Sequence, residues 1–221
     1  MNPAELTPDS RETRRTIREI AGPAGRLEAL FERPDGEVRA GVVVGHPHPL
    51  HGGTMHTKVV YRTAKTFLGL GCAVLRFNFR GVGTSDGQWD EGRGERADFE
   101  AGLDFVADAC PNVELWAAGF SLGAWIALGA GVADPRVTRL LAIAPPVGRR
   151  DFEGVVTSGK PMHFIHGSED ELIPIAVLRE FYEQVSPPKT LSVIDGANHL
   201  FDGWVPAVGT AIERVFGEEQ S

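Results

Sequence analysis

From residue 40 onward, short apolar runs alternate with stretches whose apolar residues recur at helical spacing. No other feature of the chain restricts its fold as much. The runs are 40–45 (AGVVVG), 72–79 (CAVLRFNF), 113–120, 137–144, 162–166 and 191–194. A continuous apolar run such as AGVVVG fits a strand covered on both faces. Between the runs, 54–69, 93–109, 122–132, 175–185 and 205–216 read as helices. In the first, Met55, Val59, Val60, Thr63 and Phe67 share a face; in the second, Phe99, Leu103, Phe105 and Val106 do so. Upstream, 14–21 and 26–33 alternate roughly with period two around the turn residues Gly22-Pro23-Ala24-Gly25, which predicts an antiparallel hairpin. The order predicts an α/β fold: a mostly parallel twisted sheet behind an N-terminal antiparallel hairpin, with helices on both faces.

The 221 residues suit a flexible arm over 1–12 and a single domain over 13–221. Acidic residues number 30 against 22 Lys and Arg, and the net charge of −8 argues against nucleic acid as a partner. No apolar run reaches the roughly 18 residues of a membrane span, and the polar stretch through Arg18 lacks the apolar core of a signal peptide. The expectation is a cytoplasmic protein acting on a small molecule, with Cys72 and Cys110 as free core thiols. The hairpin and the far strand would leave sheet edges, so monomer and edge-paired homodimer both remain open.

In sheets of this kind, ligands bind at the carboxyl ends of the strands, so chemistry is sought directly after each apolar run. Gly119-Phe120-Ser121-Leu122-Gly123 is G-x-S-x-G between a predicted strand and a predicted helix. There Ser121 would stand on a sharp turn as a nucleophile, with Gly119 and Gly123 leaving room for neighbouring backbone. A serine nucleophile needs a base, and the base needs an orienting acid, in the chain order Ser, Asp or Glu, His. His199 is the only histidine downstream of Asp170 and is the expected base. Glu169, Asp170, Glu171 and Asp195 all lie near strand ends; Asp170 is preferred because Leu172, Ile173 and Pro174 then lead into the next helix in a fixed way.

Acyl transfer also needs two N–H donors for the oxyanion. One is expected from Leu122, the residue after the nucleophile, and the other from the loop His46-Pro47-His48-Pro49-Leu50-His51-Gly52-Gly53. Pro47 and Pro49 have no N–H, which leaves His48 and Leu50. His48 is preferred because it lies nearer the strand end and proline on both sides would stiffen it. Four histidines crowd here (His46, His48, His51, His56), but no carboxylate or cysteine joins them, so no metal site is expected. The chemistry calls for no cofactor.

These residues resemble the α/β-hydrolase superfamily over about 14–216. The likeness is greater to small bacterial serine hydrolases related to dienelactone hydrolases and short-chain carboxylesterases. It rests on the elbow, on the His-Pro-His-Pro loop, and on Arg76-Phe77-Asn78-Phe79-Arg80-Gly81-Val82-Gly83 with Ser85 and Gly87. Dienelactone hydrolases themselves use cysteine where this chain has Ser121. The resemblance implies a serine hydrolase with the triad Ser121, Asp170 and His199. Many such proteins insert a cap before the strand at 162; here only 147–159 are available, so an open site for short- to medium-chain esters is expected.

Overall fold

The computed structural model describes residues 17–217. The arm expected over 1–12 and the first residues of the hairpin lie outside them. An antiparallel pair, β1 (Ile17–Gly22) and β2 (Gly25–Glu32), leads into β3 (Ala40–Gly45), α1 (Lys58–Gly69), β4 (Ala73–Phe77), α2 (Arg93–Ala109) and β5 (Glu114–Phe120). Then follow α3 (Leu122–Ala133), β6 (Val137–Ile143), β7 (Met162–Gly167), α4 (Ile175–Gln184), β8 (Lys189–Ile194) and α5 (Val205–Phe216). One eight-stranded sheet results, in the order β1-β2-β4-β3-β5-β6-β7-β8. β2 pairs antiparallel with β1 and β4, and all later pairs are parallel.

The continuous apolar runs are explained by two cores. On β3, Ala40, Val42 and Val44 face a core shared with α1 and α5, while Val43 faces the core of α2, α3 and α4. β5 divides likewise: Trp116, Ala118 and Phe120 on one side, Leu115 and Ala117 on the other. Strict period-two inversion on strands covered twice leaves no polar face to see in the sequence. Cys72 and Cys110 are buried free thiols, and burial pushes the Cys72 thiol up to about 12.

Two boundaries differ from the sequence reading because side chains capture backbone groups. The first helix begins at Lys58, not 54. The Thr54 N–H donates to Thr57 Oγ1, the Met55 N–H to Asn78 Oδ1, and Arg76 donates to the Met55 carbonyl, which pins 54–57 outside the helix. β4 stops at Phe77: the Asn78 N–H still reaches Glu28 O of β2 (2.8 Å), but the Phe79 N–H leaves the sheet and donates to His46 Nε2 (3.0 Å).

The topology prescribes where a site can form. From β3 the chain crosses through α1 to β4 on one side; from β5 it crosses through α3 to β6 on the other. At such a switch point the flanking loops part and leave a crevice beyond the strand ends. Gly45 and Gly119, the last paired residues of β3 and β5 there, are register partners. The segment 147–159 makes turns and contains no helix. It is held down by buried Val147, Phe152 and Val155, with the Phe152 ring 4.9 Å from that of Phe181. No cap is built over the crevice by the described residues.

Candidate active site

Ser121 stands between β5 and α3 with φ +53 and ψ −117, a conformation that costs a non-glycine residue on the order of 1–3 kcal/mol. Its N–H donates to Ile143 O (2.8 Å), and its hydroxyl makes no cap to its own helix. The two flanking glycines are steric requirements. A Cβ on Gly119 would lie 2.1 Å from Gly123 O, and one on Gly123 would lie 2.4 Å from both the carbon and the oxygen of the Gly45 carbonyl. Through this close approach the start of α3 sits directly against the end of β3.

The loops after β7 and β8 meet Ser121. His199 Nε2 is 3.0 Å from Ser121 Oγ, and His199 Nδ1 is 2.8 Å from Asp170 Oδ2. Asp170 has no exposed side-chain surface. Its other oxygen accepts from the Leu172 and Ile173 amides (2.9 and 2.8 Å), so a tight turn holds the carboxylate. Burial alone would raise its pKa. The bonds from His199 and the Ile173 amide, with the nearby imidazoles, outweigh burial and hold the carboxyl below the ordinary range. The competing acids are elsewhere. Glu169 and Asp195 are exposed, Asp195 accepting from Ser168 Oγ (3.0 Å), and Glu171 accepts from the His199 backbone N–H (3.2 Å).

The His-Pro-His-Pro loop closes the other side of the crevice. Pro47 and Pro49 have no N–H. Leu50 N–H donates to His48 Nδ1 (3.3 Å), those of His51 and Gly53 to His48 O (both 3.1 Å), and that of Gly52 to Pro49 O (3.0 Å). Among the described residues, only the His48 N–H in 47–53 is left without an acceptor. Leu50, the alternative donor, is already engaged. The Leu122 N–H opens α3, where no carbonyl of the same helix can accept it. The imidazoles of His48 and His51 stack at 4.7 Å, and that of His48 also meets Trp89 at 4.6 Å. Among the described residues no group of three or more His, Cys, Asp or Glu could hold a metal ion.

Two further buried histidines stand at strand ends beside the site. His166, at the end of β7, donates from Nε2 to Ile173 O (2.8 Å) and lies 3.4 Å from Asp170 Oδ2; burial lowers its pKa. His46 follows β3 and braces the loop from within. Their sequence signal is only that each sits at a strand's carboxyl end. Around the site, Leu50, Leu172 and Leu200 are exposed (69%, 43% and 53%), each one or two residues from His48, Asp170 or His199.

The model of the family described as serine aminopeptidase, S33 matches residues 38–157, the segment that carries the loop after β3 and the elbow. The chain belongs to the serine aminopeptidase S33 family. Its fold is that of the α/β hydrolases. An uncharacterized protein of Rickettsia prowazekii (strain Madrid E) is 35% identical over 189 residues, 81% of this chain and 79% of that one. An α/β serine hydrolase homologue from Coxiella burnetii is 37% identical with a TM-score of 0.81, covering 89% of this S33-family chain and 95% of its own. An α/β serine hydrolase without a lid from Xanthomonas campestris is 35% identical with a TM-score of 0.83, covering 89% and 90%. No helix among the described residues is long and apolar enough to cross a membrane.

Proposed function

We propose that this S33-family chain is a serine hydrolase that cleaves short- to medium-chain carboxylic esters through an acyl-enzyme. The carrying observation is the continuous line Ser121 Oγ–His199 Nε2 (3.0 Å) and His199 Nδ1–Asp170 Oδ2 (2.8 Å) at the sheet's switch point. Ser121 attacks the ester carbonyl while His199 takes its proton; His199 then protonates the departing alcohol. Asp170, anchored by two backbone amides, fixes the Nδ1–H tautomer and stabilises the imidazolium. The oxyanion is received by the Leu122 and His48 N–H groups, and water, activated by the same imidazole, releases the acid. The site's position beneath no cap and its rim of exposed leucines support small, partly apolar acyl or alcohol groups on soluble esters.

The family's description supports a second reading for the same atoms: cleavage of a peptide bond at an amino terminus. The shared triad makes thioesters and acyl transfer further outcomes. One panel separates them: p-nitrophenyl acetate through decanoate, matched acyl thioesters, and aminoacyl anilides, with wild type and Ser121→Ala. Ester turnover highest at short to medium chains and absent in Ser121→Ala supports the proposal. Turnover confined to anilides or thioesters overturns the ester reading, and full activity in Ser121→Ala overturns the site.

A further inference from the structure

We infer that His46 is a positioning residue for the oxyanion donor: it holds and polarises the Pro47–His48 peptide unit, whose N–H serves the reacting oxygen. This rests on the reading of the site given above and extends it to a residue that touches no substrate.

The ring has no exposed surface, and both its nitrogens are committed. Phe79 N–H donates to Nε2 at 3.0 Å; a backbone amide can only donate, so Nε2 carries no proton. The proton is therefore on Nδ1, which donates to Pro47 O at 2.7 Å. Burial pushes the pKa down to about 4, so the ring stays neutral at pH 7 and this single tautomer persists. The Phe79 ring packs at 4.6 Å and fixes the plane.

The carbonyl that His46 holds belongs to the same peptide unit as the His48 N–H. Because that unit is planar and trans, its N–H projects opposite to its C=O, and anchoring one end aims the other. A hydrogen bond to the carbonyl also draws electron density through the amide and makes the N–H a better donor. The unit is confined on a second side by Gly53, where a Cβ would lie 2.1 Å from Pro47 O and 2.8 Å from His48 O. Pro47 and Pro49 restrict the flanking torsions. An N–H held in this way needs little reorganisation when charge develops, which is the source of an oxyanion donor's effect.

The test uses a pair of variants with opposite retained halves. His46→Asn keeps an amide N–H at the Nδ1 position, while His46→Gln keeps an acceptor for Phe79 and loses the donor to Pro47. His46→Gln should lower kcat by about 10- to 100-fold with KM little changed, as for a weakened oxyanion donor, and His46→Asn should recover much of that loss. The oxo/thiono ratio, the rate on an ester over that on its C=S analogue, should shrink in His46→Gln, because sulfur draws less from these donors; a structural role alone would leave it unmoved. Equal ratios in folded wild type and His46→Gln overturn the inference. Should either variant fail to fold, ¹⁵N NMR of wild-type imidazoles at pH 7 decides: a protonated Nδ1 and bare Nε2 on His46 support it, the reverse tautomer overturns it. Absence of fluorophosphonate labelling at Ser121 in wild type would instead refute the site itself.

Discussion

Gly123→Ala tests whether the approach of α3 to β3 builds the oxyanion site. The new Cβ would lie 2.4 Å from the Gly45 carbonyl atoms and 2.6 Å from His46 O, where ordinary contact begins near 3.4 Å. All of these are backbone atoms, so no flexible side chain can yield. The start of α3 and the end of β3 must therefore separate by about 1 Å, an overpacking cost of about 1–3 kcal/mol. The same movement parts the Leu122 N–H from the His48 N–H, and misplacement on this scale lowers turnover about 100-fold. The assay is kcat on p-nitrophenyl butyrate alongside urea unfolding. Gly129→Ala supplies the comparison on the same helix, since among the described residues its Cβ would meet only the Arg96 side chain, Nη1 at 3.6 Å and Cζ at 4.0 Å. That variant should keep full activity and gain up to about 1 kcal/mol from helix propensity. If Gly123→Ala retains wild-type kcat while folded, the argument from close approach is wrong.

Ser121→Gly should abolish ester turnover yet raise stability by about 1–2 kcal/mol in denaturant unfolding, because glycine relieves the φ +53 backbone; a destabilised variant contradicts the strain. Asp170→Asn should lower kcat by about 10,000-fold, whereas Glu169→Gln and Asp195→Asn stay near wild type; a large loss in either of those moves the acid. Stability should fall on acidification from pH 6.5 to 4. Burial holds His46 and His163 near pKa 4 in the folded chain, but the unfolded chain takes up their protons below 6.5. Each therefore costs up to about 1.4 kcal/mol per pH unit across that window, and urea midpoints unchanged between pH 7 and 4.5 would exclude it.

The strand and helix order was legible because burial on two faces writes continuous apolar runs, as in 40–45, and amphipathic helices write their spacing, as in 93–109. The sharp turn at Ser121 was legible because its glycines answer to local steric demands. Asp170 was preferred to Glu169 on the residues that follow it; the fold adds the turn that gives the Leu172 and Ile173 amides to its carboxylate and faces the other oxygen to His199. His48 was preferred to Leu50 only on its place in the loop; that the Leu50 N–H is already engaged, by His48 Nδ1, is written in the fold and not in the sequence. The partners of His46 and His166 were invisible for a related reason: Phe79 N–H and Ile173 O are backbone groups whose positions no residue type announces. The early end of β4 likewise depends on His46, 33 residues before Phe79 in the chain, which takes the Phe79 amide out of the sheet.

If the proposed mechanism holds, Ser121 forms the covalent intermediate. Intact-mass and peptide-mass analysis after a fluorophosphonate probe reads this out. A single adduct on the peptide carrying Ser121, lost in Ser121→Ala and formed far more slowly in His199→Ala, is the predicted result. An adduct on another residue, or undiminished labelling of Ser121→Ala, would contradict the account.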